Sequence, residues 1–224
     1  MINLPKINNK QLFNQAFTHR SYLNEVKQKI SSNERLEFLG DSIISFIVSD
    51  YLFKKYPNFD EGQLTNLRSL LVNTKNLACL SIELKFGDLL LLSRGEEESK
   101  GRQNQSILAD CFEAFIGCLF IDRGVEVTSD FLKEVLLSQT DAIVEKNIFK
   151  DPKSVLQETI QAKKQPSPVY RVVEEKGPAH ARIFTINVIT GNKMLGSGTG
   201  RSKQEAEESA AKQALENMRK SMVE

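Results

Sequence analysis

The chain has 224 residues, 40% of them hydrophobic and 26% charged, with a formal net charge of +1. That length admits two modest domains, and no uncharged apolar run is long enough for a membrane span. Cys79, Cys111 and Cys118 are odd in number and lie in apolar stretches without a Cys-x-x-Cys pair, which disfavours a thiolate metal site, and buried, reduced thiols are expected. The start shows no secretory pattern of basic residues, apolar segment and small-residue cleavage site, so a cytoplasmic location is expected. Charge is uneven. Residues 1–150 hold 18 Lys/Arg against 20 Asp/Glu, and residues 151–224 hold 12 against 9. The basic excess of the tail is small but compatible with a local phosphate-binding patch.

In chain order, Leu12, Ala16 and Phe17 begin a short amphipathic helix that ends in Thr18-His19-Arg20-Ser21-Tyr22. Asn33 is the expected N-cap of a helix from Glu34 through Ile43, Ile44, Phe46, Ile47, Val48, Leu52 and Phe53. So dense an apolar pattern predicts a central helix buried around much of its circumference. Residues 57–62 break it, and Leu64, Leu67, Leu71, Leu77, Leu80 and Ile82 continue in helical register. A charged, glycine-containing loop is expected over residues 94–105. A further helix carries Ile107, Leu108, Phe112, Phe115, Ile116 and Leu119 and ends at Asp122-Arg123-Gly124. Another runs through Val127, Phe131, Val135 and Leu136 towards Ile143.

Pro152 marks the best boundary, because proline disfavours helix at the residue before it. The division expected is 1–148 for the first domain, 149–150 for a short linker and 151–224 for the second. Leu156, Ile160 and Ala162 indicate a helix stopped by Pro166 and Pro168. Residues 169–175, 182–190 and 193–198 read as strands, the middle one alternating Phe184, Ile186 and Val188. Ser202, with Glu205 three residues on, is a capping box for a last helix lined by Ala206, Ala210, Ala214 and Met218. The fold class expected is an all-α domain followed by a small α+β domain of order α-β-β-β-α.

Two acidic segments carry the chemistry. Glu37 and Asp41 are spaced i,i+4, and Asp110 and Glu113 i,i+3, so each pair shares a helix face within apolar sequence. Carboxylates desolvated there need a compensating positive group, which a hard divalent cation with oxygen ligands supplies. Taken alone the quartet fits either a metal centre or structural ion pairing, and Glu34 fits ordinary helix decoration. His19 and His180 fall in separate modules, which disfavours histidine general-base chemistry.

Asn33-Glu34-Arg35-Leu36-Glu37-Phe38-Leu39-Gly40-Asp41-Ser42 resembles the defining motif of bacterial ribonuclease III, and 106–117, containing Asp110-Cys111-Phe112-Glu113, resembles that family's second acidic motif. Ala16-Phe17-Thr18-His19-Arg20-Ser21-Tyr22 and Glu61-Gly62-Gln63-Leu64-Thr65-Asn66-Leu67-Arg68 match its context, and the order and spacing of these motifs are highly specific. The resemblance implies a homodimeric, Mg²⁺-dependent endonuclease for double-stranded RNA, with Mn²⁺ able to substitute. Each subunit's centre cuts one strand, leaving 5′-phosphate and 3′-hydroxyl ends with two-nucleotide 3′ overhangs. It implies metal binding by Glu37, Asp41, Asp110 and Glu113, with Asp41 and Glu113 as the principal catalytic residues. Glu34 and Glu61 become supporting acids of the dimer cleft, and Phe38 an aromatic that enters a pocket on the partner. The Thr18–Tyr22 segment is expected mainly to pack.

The tail resembles a double-stranded RNA-binding domain through residues 151–158, Gly177-Pro178-Ala179-His180 and 198–207. The resemblance places Gln157, Glu158 and Gln161 at one minor groove, Pro178, Ala179 and His180 at another, and Arg201, Ser202 and Lys203 at the phosphates between. Gln204 stands where the family often has lysine, and Gln103-Asn104-Gln105 is less basic than the family pattern. Processing of ribosomal RNA precursors and other structured RNAs follows from the family. A binding-only regulator of duplex RNA is the alternative reading, while a helical metabolic enzyme leaves the tail unexplained.

Overall fold

The computed structural model describes residues 4–146, 151–178 and 181–220. The chain forms two compact units, Met1–Phe149 and Lys150–Glu224. The expected 149–150 linker, Ala179 and His180 lie outside the described residues.

The first unit is all-α. Helix α1 (Lys10–Ala16) is capped by the Asn9 side chain, which accepts from the Leu12 amide. A 3-10 turn, Arg20–Asn24, follows. Helix α2 (Glu34–Lys55) begins at Asn33, but the asparagine side chain makes no capping bond. Asn33 is buried, and its carbonyl instead accepts from the Leu36 and Glu37 amides. Helix α3 (Glu61–Val72) opens with a reciprocal capping box between Asp60 and Gln63, and Asn73 caps α4 (Thr74–Glu83). The segment expected as a loop contains a short helix, α6 (Arg94–Glu98), after α5 (Phe86–Leu89), and then a 3-10 turn. Its order comes from Ser93 capping α6 and from Arg102, which pairs with Glu97 and donates to the Gly87 carbonyl. Neither contact has a periodic sequence signature.

Helix α7 (Gln105–Val135) crosses the end expected at Gly124 with only a break there, at φ 79°. Asp122 accepts from the amides of Asn8 and Asn9, and Arg123 donates to the Lys6 carbonyl, so this pair ties down the preceding N-terminal segment. Helix α8 (Thr140–Glu145) closes the unit, with Asp141 accepting from Lys55 and Tyr56 at the end of α2. The core is aromatic, and Phe86 packs against Phe17 and Phe115 at ring separations of 5.2 and 5.0 Å. Cys111 and Cys118 are buried as expected, whereas Cys79 is exposed on α4. No helix among the described residues is long and apolar enough to cross a membrane.

Two glycines set the central packing. A Cβ on Gly40 of α2 would lie 1.8 Å from the Glu113 carbonyl oxygen of α7, and one on Gly117 would lie 2.2 Å from the Leu36 carbonyl oxygen. The backbones of α2 and α7 touch directly. Their crossing closes over Leu36, Ile44, Ile47, Val48 and Leu52, all buried. The rest of α2 departs from expectation, since Phe46 and Phe53 join Phe38 as exposed side chains. Hydrophobicity alone could not separate a core stripe from one left for another surface.

The second unit has the order α9 (Pro152–Ala162), β1 (Val169–Lys176), β2 (Ile183–Thr190), β3 (Lys193–Gly200) and α10 (Lys203–Lys220). The sheet is antiparallel in order β1-β2-β3, with a register shift in β1 between Val172 and Glu174. Gly196, Gly198 and Gly200 share one face of β3, where a Cβ on each would strike the backbone of α10. That bare face lets Ala206, Ala210 and Ala214 lie on the sheet, over Leu156, Ile160 and Val188. Gln213 accepts from the Ser197 amide and Asn217 donates to the Leu195 carbonyl, so α10 also engages the edge of β3.

Gly40→Ala is expected to destabilise the first unit by about 3 kcal/mol or more, because two helix backbones must separate. Calorimetry of the full chain should show a midpoint lowered by roughly 10 °C. An unchanged midpoint would contradict the direct backbone contact.

Candidate metal centre and duplex-binding face

The Gly40–Gly117 crossing decides where the acids go. Glu37 precedes Gly40 by about one turn, and Asp110 and Glu113 lie about two turns and one turn before Gly117, so the crossing brings their carboxylates together. Ligand oxygens of Glu37, Asp110 and Glu113 all lie within 4.8 Å of one another. Asp41 is exposed and falls outside that group, although its charge acts on both Glu113 and Glu37. Glu34 lines the same cleft. Glu61 does not, since it lies at the start of α3 beside a different hollow.

The carboxylates crowd one another. Burial, then Asp41, Asp110 and Glu37, push the Glu113 carboxyl up to about 8. Burial and the neighbouring Asp110 and Glu34 raise Glu37, partly offset by Arg20. Burial also raises Asp110, against the opposing charges of His19 and Arg20. Without a cation, Glu113 is therefore biased towards its protonated form. An all-carboxylate donor set of intermediate burial that will not ionise fully on its own suits a hard divalent cation.

The cleft beside the acids has a volume of about 710 Å³ and is lined also by His19, Arg20, Ser21, Asn104 and Ser106. The turn expected mainly to pack thus contributes to the site. Asn104 holds the start of α7 by accepting from the amides of Ser106 and Ile107, which gives the non-basic Gln103-Asn104-Gln105 a structural role. The sequence signal was the polar run of residues 18–22 directly after a helix, which pattern alone could not direct into a cleft.

In the second unit Gln157, Glu158 and Gln161 are exposed on α9, opposite buried Leu156 and Ile160. Pro178 is exposed at the loop after β1. Arg201, Ser202 and Lys203 are exposed at the start of α10. Ser202 accepts from the Glu205 amide as expected, but the Glu205 carboxylate takes the Arg201 amide rather than that of Ser202. Gln204 donates to Glu208.

The family profile described as Ribonuclease-III-like matches residues 9–140, and that of the Double-stranded RNA binding motif matches residues 152–218. Ribonuclease 3 of Bacillus cereus strain G9842 is 45% identical over 214 residues, covering 95% of this chain and 87% of the relative. The chain belongs to the bacterial ribonuclease III family. Among solved structures, the ribonuclease III nuclease domain of Campylobacter jejuni is 37% identical with a TM-score of 0.55, covering 59% of this chain and 90% of that one. Dicer from Pichia stipitis is 31% identical with a TM-score of 0.51, covering 96% and 97% respectively. The first unit is thus the family's nuclease domain and the second its double-stranded RNA-binding domain.

The raised Glu113 carboxyl has a measurable consequence. A carboxyl whose folded pKa, about 8, exceeds its unfolded reference of 4.5 stabilises the fold below the reference, and that contribution disappears as pH rises through about 8. In chelator, the thermal midpoint of the native chain should therefore fall from about pH 5 to about pH 9 relative to that of Glu113→Gln. Parallel profiles for the two proteins would show that Glu113 does not titrate in this way.

Proposed function

We propose that the chain is a Mg²⁺-dependent, homodimeric endoribonuclease that cuts both strands of duplex RNA. The carrying observation is the meeting of Glu37, Asp110 and Glu113 within 4.8 Å, on a chain that also holds a double-stranded RNA-binding domain. Bound Mg²⁺ supplies Lewis acidity at the phosphate and lowers the pKa of the attacking water. Glu37, Asp110 and Glu113 would hold the cation as carboxylates, with Asp41, one turn after Glu37 on α2, as the fourth acid of the set. Asp41 and Glu113 are the principal catalytic residues, and Mn²⁺ can substitute.

The dimer reading rests on α2. Phe38 is 78% exposed, and 8–15 residues further along the helix a hollow of about 620 Å³ is lined by Phe46, Leu52, Phe53, Phe59 and Leu64. That spacing is roughly 12–22 Å along a helix. Two α2 helices packed antiparallel about a twofold axis would each set Phe38 into the other's hollow, a self-complementary interface. The same packing carries Glu61 of the second copy, on the rim of the hollow, towards Glu37 and Asp41. It also explains why Glu61 stands apart from the acids within one subunit. The nuclease domain from Campylobacter jejuni is itself described as having a region involved in dimer formation.

Two centres on one cleft cut the two strands and leave 5′-phosphate and 3′-hydroxyl ends with two-nucleotide 3′ overhangs. The second domain selects RNA because the wide, shallow minor groove of the A-form duplex offers 2′-hydroxyls to Gln157, Glu158 and Gln161 and to the loop at Pro178, Ala179 and His180. Arg201, Ser202 and Lys203 meet the phosphates between the grooves. Maturation of ribosomal RNA precursors and other structured transcripts in the cytoplasm is the physiological role that fits, and three unpaired thiols suit a reducing compartment.

The purified chain should cut a long RNA duplex into discrete fragments in Mg²⁺ and leave duplex DNA intact. Glu113→Gln should lower cleavage about a hundredfold or more while duplex binding persists. Stable binding without cleavage by the native chain in either Mg²⁺ or Mn²⁺ would instead favour a binding-only regulator. Phe38→Ala should weaken the dimer by about 2 kcal/mol or more, read by sedimentation across a concentration series. An unchanged monomer–dimer equilibrium would remove Phe38 from the interface.

A further inference from the structure

We propose that Arg20 is a substrate-positioning contact: its guanidinium exchanges Glu34 for a backbone phosphate of the RNA strand lying over the acidic cluster. The inference rests on the nuclease reading above and adds a residue to it. Among the described residues lining the acidic cleft, Arg20 alone carries a permanent positive charge, facing Glu34, Glu37, Glu96 and Asp110. A polyanion approaching this cleft meets mostly negative charge, and a divalent cation cancels only part of it. A fixed cation on the rim gives the strand a favourable place to rest.

The present partner of Arg20 is easily given up. Its guanidinium lies 3.7 Å from the Glu34 carboxylate, and the two side chains are 72% and 54% exposed. Such a pair contributes little, because water screens both charges. Guanidinium presents a planar fork of donors that matches phosphate, so the exchange is chemically favourable.

The backbone beneath Arg20 is held far more firmly than its side chain. The Thr18 hydroxyl donates to the Asn14 carbonyl at 2.7 Å, and the His19 amide donates to the Leu91 carbonyl at 3.1 Å. The Ser21 hydroxyl accepts from the Ser93 amide at 3.0 Å. The Asn33 amide donates to the Thr18 carbonyl at 2.8 Å, which ties the turn to the first residues of α2 and hence to Glu34 and Glu37. An exposed side chain on an anchored base, beside the carboxylates, is the arrangement that locating a strand requires. Packing accounts for the anchored backbone but not for the exposed guanidinium, whose charge offsets those of Glu37 and Asp110 and stays open to an incoming anion.

The test uses the full chain in two backgrounds. Duplex RNA binding is measured with Glu113→Gln, which prevents turnover, over a range of salt concentrations. Steady-state cleavage is measured with Glu113 intact. A lost phosphate contact lowers the slope of log affinity against log salt by about one per contact, an effect that loss of a merely structural residue does not produce. R20A should lower the slope by that amount for each subunit engaged and raise KM about tenfold, with kcat changed less. R20K should keep the slope and recover part of KM, because it retains the charge but loses the fork. R20Q provides the same reading as R20A should the alanine variant fold poorly. E34Q should leave the slope intact.

An unchanged slope and KM in both R20A and R20Q would overturn the proposal. So would E34Q reproducing the R20A phenotype, since Arg20 would then act only by holding Glu34. Native protein that binds and cuts duplex RNA alongside unaffected Arg20 variants removes Arg20 alone. Native protein that does neither removes the nuclease reading together with this one.

Discussion

The first domain depends on one contact without side chains, the crossing of α2 and α7 at Gly40 and Gly117. A Cβ at either position would overlap a carbonyl oxygen of the other helix. Close approach there serves packing and chemistry at once, because the glycines lie within the acidic segments. The carbonyl pressed against Gly40 belongs to Glu113 itself. A shift of the crossing that relieved the backbone would carry that carboxylate away from Glu37. The three-carboxylate cluster is therefore a property of helix geometry before it is a property of side-chain choice.

The cluster is held in tension by the same geometry. Like charges at this separation resist simultaneous ionisation, and burial adds to the resistance. The fold tolerates this because burial and its neighbours favour the protonated form of Glu113. On the proposed metal-binding reading, cation uptake would be coupled to proton release, and apparent metal affinity would grow with alkalinity. The opposing charges of His19 and Arg20 moderate the crowding at Asp110, which lines the cleft together with the turn that carries them.

Much of this was legible in the residues. Helical spacing placed Glu37 with Asp41 and Asp110 with Glu113, and the strand pattern of Phe184, Ile186 and Val188 gave the second domain its sheet. Asn33 stands at the N-cap as expected, but it contributes only its carbonyl there, while its buried side chain makes no capping bond. Phe46 and Phe53 were expected in the core because an apolar residue left exposed and one buried in the core look identical in one chain. The helical turns of residues 94–103 rest on Ser93 and Arg102, whose contacts reach too far or too irregularly to leave a period. Asp41 and Glu61 were grouped with the acids by motif, yet the fold of the chain brings neither into the 4.8 Å cluster.

The glycine stripe on β3 shapes the second domain in a further way. By letting α10 lie flat on the sheet, it places Gln213 and Asn217 where they occupy a backbone amide and a carbonyl of the outer strand. The opposite edge, β1, is interrupted by its register shift and carries Arg171, Glu174, Glu175 and Lys176. Neither margin offers a regular ladder for a foreign strand. Guarded margins keep the sheets of separate molecules from pairing edge to edge, so the domain can be present at high concentration without its strands seeding aggregates.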